Sequence, residues 1–349
     1  MKKTWFLLAL IVVCVALGWE QVQACTRVVY KGPNNTVLTA RSMDFSLEIP
    51  ADLWVFPRGM KRNGEVGANS VQWTAKYGSV IASSFNISTT DGMNEKGLVA
   101  NMLWLVNSEY PPFKKDSGTK GLAVSLWAQY VLDNFATVSE AVEALKKEEF
   151  VVVTDFIPGT DKYTTVHLSI SDASGDNAIF EYIKGKLVIH HDPSYTVMTN
   201  DPTYDEQLAI SKYWKEIPGR IMLPGTNRAA DRFVRASYYI EAIPQTDDTR
   251  IAVASVFSVI RNTSVPYGIS TEGFPNLSTT RWRSVADHKN KVYYFETALT
   301  PNTFWVDMKK VDFKENAPVK KLSVSKNETY AGEVSGQFVP TKPFQFQGL

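Results

Sequence analysis

Cys25 is one of two cysteines in 349 residues, and it stands directly behind Val22-Gln23-Ala24. A cysteine thiol, with an ordinary pKa of about 8.5, is mostly protonated at neutral pH and needs a base before it becomes a good nucleophile. A cut after Ala24 would supply that base on the same residue. A free α-amino group has an ordinary pKa of about 7.7–8.0, so part of it is neutral near pH 7 and can take the thiol proton directly or through one water. The residues before Cys25 predict such a cut. Lys2 and Lys3 precede an apolar run from Trp5 to Leu17 that is short for a bilayer span, and Val22 and Ala24 stand three and one before the cut, where signal peptidase wants small residues. Residues 1–24, Cys14 among them, are therefore read as a secretory leader. Residues 25–349 are read as a single exported domain, periplasmic or secreted, with one cysteine and no intramolecular disulfide.

Other chemistries suit the residues less well. Of the four histidines, His190 and His191 are adjacent in a strand pattern and point to opposite faces, while His167 and His288 stand in no motif that would pair them with Cys25. There is no second cysteine in the exported part, no His-x-x-x-His and no clustered carboxylate–histidine set, so no metal or cofactor is expected. The rival from another class is a lipid on Cys25, which would make the chain an anchored binding protein with a blocked amino group. Val22 and Gln23 match a lipobox poorly.

These residues need a scaffold to position them. With 37 basic and 36 acidic side chains the chain has no charge imbalance that would suggest nucleic acid or an anionic membrane as partner. No linker, repeat or low-complexity run divides it. "TRVVY" and "TVLTARSMD" flank the turn signal "KGPNN", so Cys25 opens a hairpin whose second strand holds Arg41 and Asp44. "SVQWTAKYGSVIASSFN" and "GLVANMLWLV" read as further strands around a turn-rich "TTDGMNEKG". Between Leu122 and Leu145 apolar residues take helical spacing, with a capping box at Thr137 and Glu140. A meander follows ("YTTVHLSIS", "NAIFEYIKG", "KLVIHH"), then two helices near 204–216 and 228–242, then strands in "RWRSVADHKNKVYYFET". Blocks of helices among many antiparallel strands predict an α+β sandwich.

Five motifs in order, "CTRVVY", "ARSMDF", "DGMNEKGL", "MTNDPTYDEQL" and "LPGTNRAADRFVRA", resemble the choloylglycine hydrolase family of N-terminal-nucleophile hydrolases. They span Cys25 to Ala236, and the sandwich pattern continues to about Val311. The resemblance implies a four-layer αββα fold and cleavage of a linear amide that joins an acyl group to an amine. Cys25 would be the nucleophile, passing through an acyl-thioester with its α-amino group as base. Asp44 would hydrogen-bond and orient that amine, Arg41 would help hold the thiolate, and Asn200 would supply the side-chain donor of the oxyanion hole. Arg232 matches the family arginine near the nucleophile, with Arg235 three residues on as the alternative.

The family includes penicillin V acylases and conjugated bile salt hydrolases. Where the latter place an asparagine after "GMNEKGL", this chain has Trp104, whose backbone N–H would then serve as second oxyanion donor. Asn101, an odd number of residues away, would face the other side of the strand. Met43, Phe45 and Trp104 are candidates for an apolar acyl pocket, or for core. The substrates expected are small-molecule acyl amides: phenoxyacetyl amides such as penicillin V first, long-chain acyl homoserine lactones next, bile conjugates last. An exported member resembles the Gram-negative, periplasmic branch, off the membrane once its leader is removed, and relatives imply a homotetramer.

Overall fold

A computed structural model of the chain describes residues 24–115, 117–269, 278–326 and 328–349. The leader assigned to 1–24 lies outside the described residues except for the backbone of Ala24. Beta-branched residues build strand β1 (Ala24–Gly32) and strand β2 (Thr36–Phe45), joined by a 3-10 turn at Pro33–Asn35. Asn34 and Asn35 sit in the left-handed region (φ 53° and 57°), which asparagine tolerates better than most residues. The antiparallel register sets Cys25 opposite Met43 and Arg27 opposite Arg41.

This hairpin lies inside a seven-stranded sheet, in spatial order Val197–Met198, β1, β2, Thr279–Asp287, Val292–Thr297, Phe304–Asp307 and Gly332–Glu333. A nine-stranded sheet runs Lys186–His191, Asn177–Ile183, Val166–Ser171, Val99–Trp104, Ser88–Asn94, Ser79–Ser84, Leu53–Phe56, Lys320–Leu322 and Val339–Pro340. Helix α1 (Trp127–Asn134) packs on the second sheet at Ser88–Asn94 and Val99–Trp104, and α2 (Val138–Leu145) on Asn177–Ile183. On the first sheet, α4 (Ala229–Ala242) covers β1, α5 (Thr249–Asn262) covers β2, and α3 (Tyr204–Lys215) lies against α4. The fold is thus the α+β sandwich of helix, sheet, sheet and helix layers.

Because both faces of the hairpin are covered, every residue of β2 is buried, charged ones included. Burial of side chains such as Leu38, Leu53, Phe180 and Phe295 favours the sandwich by about 1.5–3 kcal/mol each. Several buried polar side chains pair with one another: Arg27 Nη2 donates to Asn177 Oδ1 at 2.8 Å, and Thr39 Oγ1 lies 2.7 Å from both Ser171 Oγ and His288 Nε2.

Four segments differ from their sequence reading. "TTDGMNEKG" is mostly strand: Ser88–Asn94 pairs with Ser79–Ser84, with an irregularity at Thr90, and its apparent turn residues are there for contacts. Asp91 is buried among hydrogen-bond donors, and a Cβ on Gly92 would stand 2.7 Å from Ile81 Cγ2. Leu122 is not helical, because Gly121–Ala123 pairs in parallel with Val151–Val153. The 70–86 stretch is two strands, Gln72–Thr74 and Ser79–Ser84. Helix α5 is unforeseen, since "TRIAVASVFSVIRN" is rich in β-branched residues of low helix propensity. Asp248 caps it by accepting from the N–H groups of Arg250 and Ile251, and Ala252, Val256, Val259 and Ile260 bury one face. The sandwich also extends past Val311, with Lys320–Leu322 beside Leu53–Phe56.

Candidate active site

Cys25 sits at the head of β1, 2% exposed, and each of its polar atoms meets a different partner. Its backbone nitrogen donates to Asn200 Oδ1 at 2.6 Å. Its carbonyl accepts a short bond from Arg232 Nη1 (2.5 Å). Its sulfur lies 3.9 Å from Arg41 Nη2, from Met43 Sδ and from the Asp44 carbonyl. Burial pushes the thiol pKa up, and the Arg41 charge opposes that rise. The thiol therefore needs a base close by.

Asn200 follows the Val197–Met198 edge strand, which pairs with β1. Its Oδ1 also accepts from Arg232 Nη2 at 2.8 Å, and two donors on one atom fix the orientation of the amide. Nδ2 then donates to the Trp104 carbonyl at 2.7 Å, which occupies one of its two protons. Arg232, on α4, reaches Thr26 Oγ1 at 2.7 Å as well. Arg235 points elsewhere, to the carbonyls of Pro224 and Thr226. The geometry thus separates the two arginines that spacing alone leaves open.

Arg41 and Asp44 are fixed by the second sheet and by the strand next to β2. Arg41 Nη1 donates to the Thr90 carbonyl at 2.6 Å and lies 3.8 Å from Asp91 Oδ2, while its guanidinium sits 4.9 Å from the Trp282 ring centre. Asp91 in turn accepts from Tyr293, Asn101 and Ser284. Asn101 is thus turned onto Asp91, as the strand alternation predicts, and does not line the cavity beside Cys25. The Asp44 carboxylate accepts from Ser42 and Thr280, not from the Cys25 nitrogen, which in this chain is still an amide joined to Ala24. Burial pushes the Asp44 pKa up to about 6, against the opposing pull of the Arg232 charge and the Thr280 hydroxyl. Asp91, Thr280 and Trp282 were not singled out in the sequence; the first hid in a turn-like motif, and the other two lie beyond the five motifs.

A cavity partly open to solvent begins at Cys25 and is lined by Met43, Phe45, Met102 and Trp104, the three predicted apolar candidates among them. No histidine reaches it: His167 is engaged by Glu181 and the Thr199 carbonyl, and His288 by Thr39 and the Gly97 carbonyl. Among the described residues no group of three or more His, Cys, Asp or Glu is placed to hold a metal, and no helix is long and apolar enough to cross a membrane.

A buried cysteine at the head of a central strand, inside an αββα sandwich, defines the N-terminal-nucleophile hydrolase class. The profile of the linear amide C–N hydrolases, choloylglycine hydrolase family, matches residues 25–321, and the chain belongs to that family. It is 51% identical to the penicillin V acylase of Pectobacterium atrosepticum over 98% of this chain and 96% of that one. Identity to the bile salt hydrolase/transferase of Clostridium perfringens is 27%, over 84% and 94%. Among solved structures, penicillin V acylase from Agrobacterium tumefaciens superposes with a TM-score of 0.88 at 59% identity, over 93% of this chain and 100% of that one. A mutant of the conjugated bile acid hydrolase from C. perfringens gives 0.73 at 25%, over 86% and 97%. The chain is an enzyme that hydrolyses linear amides.

Proposed function

We propose that this chain is an exported acylase of the penicillin V type, made active by a cut that frees the Cys25 amine. The observation that carries this reading is that the nitrogen, carbonyl and sulfur of Cys25 are each held by a separate buried side chain: Asn200, Arg232 and Arg41. The freed amine takes the thiol proton, and the sulfur attacks the amide carbonyl held in the cavity. The remaining Nδ2 proton of Asn200 faces the developing oxyanion. The second donor is the Trp104 N–H. Leu105 N–H bonds Thr165, so by antiparallel alternation Trp104 and Val166 form a non-hydrogen-bonded pair, and Val166 N–H goes to Tyr110 Oη instead. The N–H of Trp104 therefore points to the same side as its carbonyl, which bonds Asn200. The ammonium then protonates the departing amine, leaving an acyl-thioester, and the amine deprotonates the water that releases the acid.

The cavity and the identity to penicillin V acylases support an aromatic acyl group such as phenoxyacetyl, ahead of long-chain acyl homoserine lactones and of bile conjugates. The expected order of kcat/KM on a phenoxyacetyl amide, a long-chain acyl homoserine lactone and a glycine-conjugated bile acid is the order written. Equal rates on the bile conjugate would contradict the assignment. Cys25→Ser should abolish turnover of all three, and wild-type turnover by that variant would remove the thiol from the mechanism.

A further inference from the structure

Gln347 lies 26 residues past the end of the family match, yet it lines the same cavity as Cys25. Its bonds go to three separate walls. Its N–H donates to the Ile87 carbonyl at 3.0 Å, and its carbonyl accepts from Ser125 Oγ at 2.6 Å. Its side-chain Nε2 donates to Asp155 Oδ2 at 3.0 Å and to the Phe156 carbonyl at 2.7 Å. Ile87, Ser125 and Asp155 all line the cavity, and none of them hydrogen-bonds Cys25, Arg41, Asn200 or Arg232. One residue thus ties together the walls that do not carry the chemistry.

The segment around it is anchored, not loosely laid on. Phe344 and Phe346 contact each other with ring centres 4.6 Å apart, and Phe344 packs edge-on against Trp54 at 5.0 Å. Arg62 stands over Phe346 at 5.3 Å, and Leu349 N–H bonds the Glu65 carbonyl at 2.9 Å. At Gly348 the backbone passes so close to Glu65 that an added Cβ would stand 1.9 Å from its carbonyl oxygen. Only glycine lets the segment dock there.

We infer that segment 341–349 is a specificity element of this enzyme: docked through Gln347, it closes the acyl cavity and sets the length of acyl group that fits. The inference rests on the amidase reading and adds which part of the chain selects the acyl group. The catalytic groups come from β1, β2, the Asn200 loop and α4, so loosening this segment should change which acyl groups bind more than how fast a bound one reacts.

The test is kcat and KM on a phenoxyacetyl amide and on unbranched acyl amides from six to twelve carbons, all with the same amine, for the wild type, Gln347→Ala and Gly348→Ala. Gln347→Ala frees the walls, and Gly348→Ala displaces the segment, Gln347 with it, without changing the identity of any lining side chain. The expected result is that both variants raise KM for the phenoxyacetyl amide with kcat within about threefold, and shift the ratio of kcat/KM between the longest chain and phenoxyacetyl by about tenfold or more toward the long chain. Should either variant be too unstable to purify, the other alone decides the matter. A ratio that stays within about twofold overturns the inference, as does a uniform fall in kcat across the series. A wild-type chain that hydrolyses none of the series overturns the functional reading itself, and this inference with it.

Discussion

Around Cys25, three buried side chains divide the work of holding one residue. Asn200 has the most to do, because its oxygen receives Cys25 N–H and Arg232 while its nitrogen bonds Trp104, and in the proposed mechanism its other amide proton serves the oxyanion. Asn200→Ala should lower kcat by about 10²–10³-fold, roughly 3–4 kcal/mol, in steady-state assays of the matured enzyme. Asp44 makes a pH-dependent prediction. Its folded pKa of about 6 lies above its ordinary 3.8, so between those values the native state keeps a proton that the unfolded chain has lost. Stability of the unmatured chain should therefore fall as pH rises from about 4 to 6, by roughly 3 kcal/mol from this group, and Asp44→Asn should flatten that slope in denaturant titrations. A slope unchanged by the substitution would contradict the assignment to Asp44.

Helix α4 presents both arginines but gives them different tasks. Arg232 faces β1 and Cys25, whereas Arg235 holds the carbonyls of Pro224 and Thr226 in the connection from α3. Arg235→Ala should cost about 1–2 kcal/mol of stability in thermal or denaturant unfolding and leave kcat nearly unchanged, while Arg232→Ala should reduce kcat strongly. Loss of kcat in the Arg235 variant would contradict this division. The hairpin of β1 and β2 was legible in the sequence because β-branched runs and a Pro-Asn-Asn turn act locally, and α3 and α4 stand where helices were expected, near 204–216 and 228–242. Strand Ser88–Asn94 was not, because its Asp91 and Gly92 serve contacts with Arg41, Tyr293 and Ile81 that no local pattern records. The same holds for α5, whose β-branched residues form a helix because a buried face on β2 outweighs intrinsic propensity.

Across the whole molecule the seven-stranded sheet and helix α4 bring Cys25, Arg41 and Asp44 from one hairpin to Asn200 and Arg232 from near residues 200 and 230, so that five residues marked by motifs converge on one buried point. The cavity walls at Ile87, Ser125 and Asp155 lie outside the five motifs. Gln347 takes part through long-range docking, and only the folded chain shows it beside the residues of motif one. The proposed cut after Ala24 links the scales: while Cys25 is joined to Ala24 its nitrogen is an amide that donates to Asn200 and has no basic lone pair, so the uncut chain should be inactive. The most direct test is the intact mass of the protein isolated from its host, alone and after rapid acid quench during turnover of a phenoxyacetyl amide, followed by peptide mapping. The expected result is a chain that begins at Cys25 and transiently gains one acyl group on the Cys25 peptide. Full turnover by a chain that retains Ala24, or an acyl group trapped on any other residue, would contradict an N-terminal cysteine nucleophile.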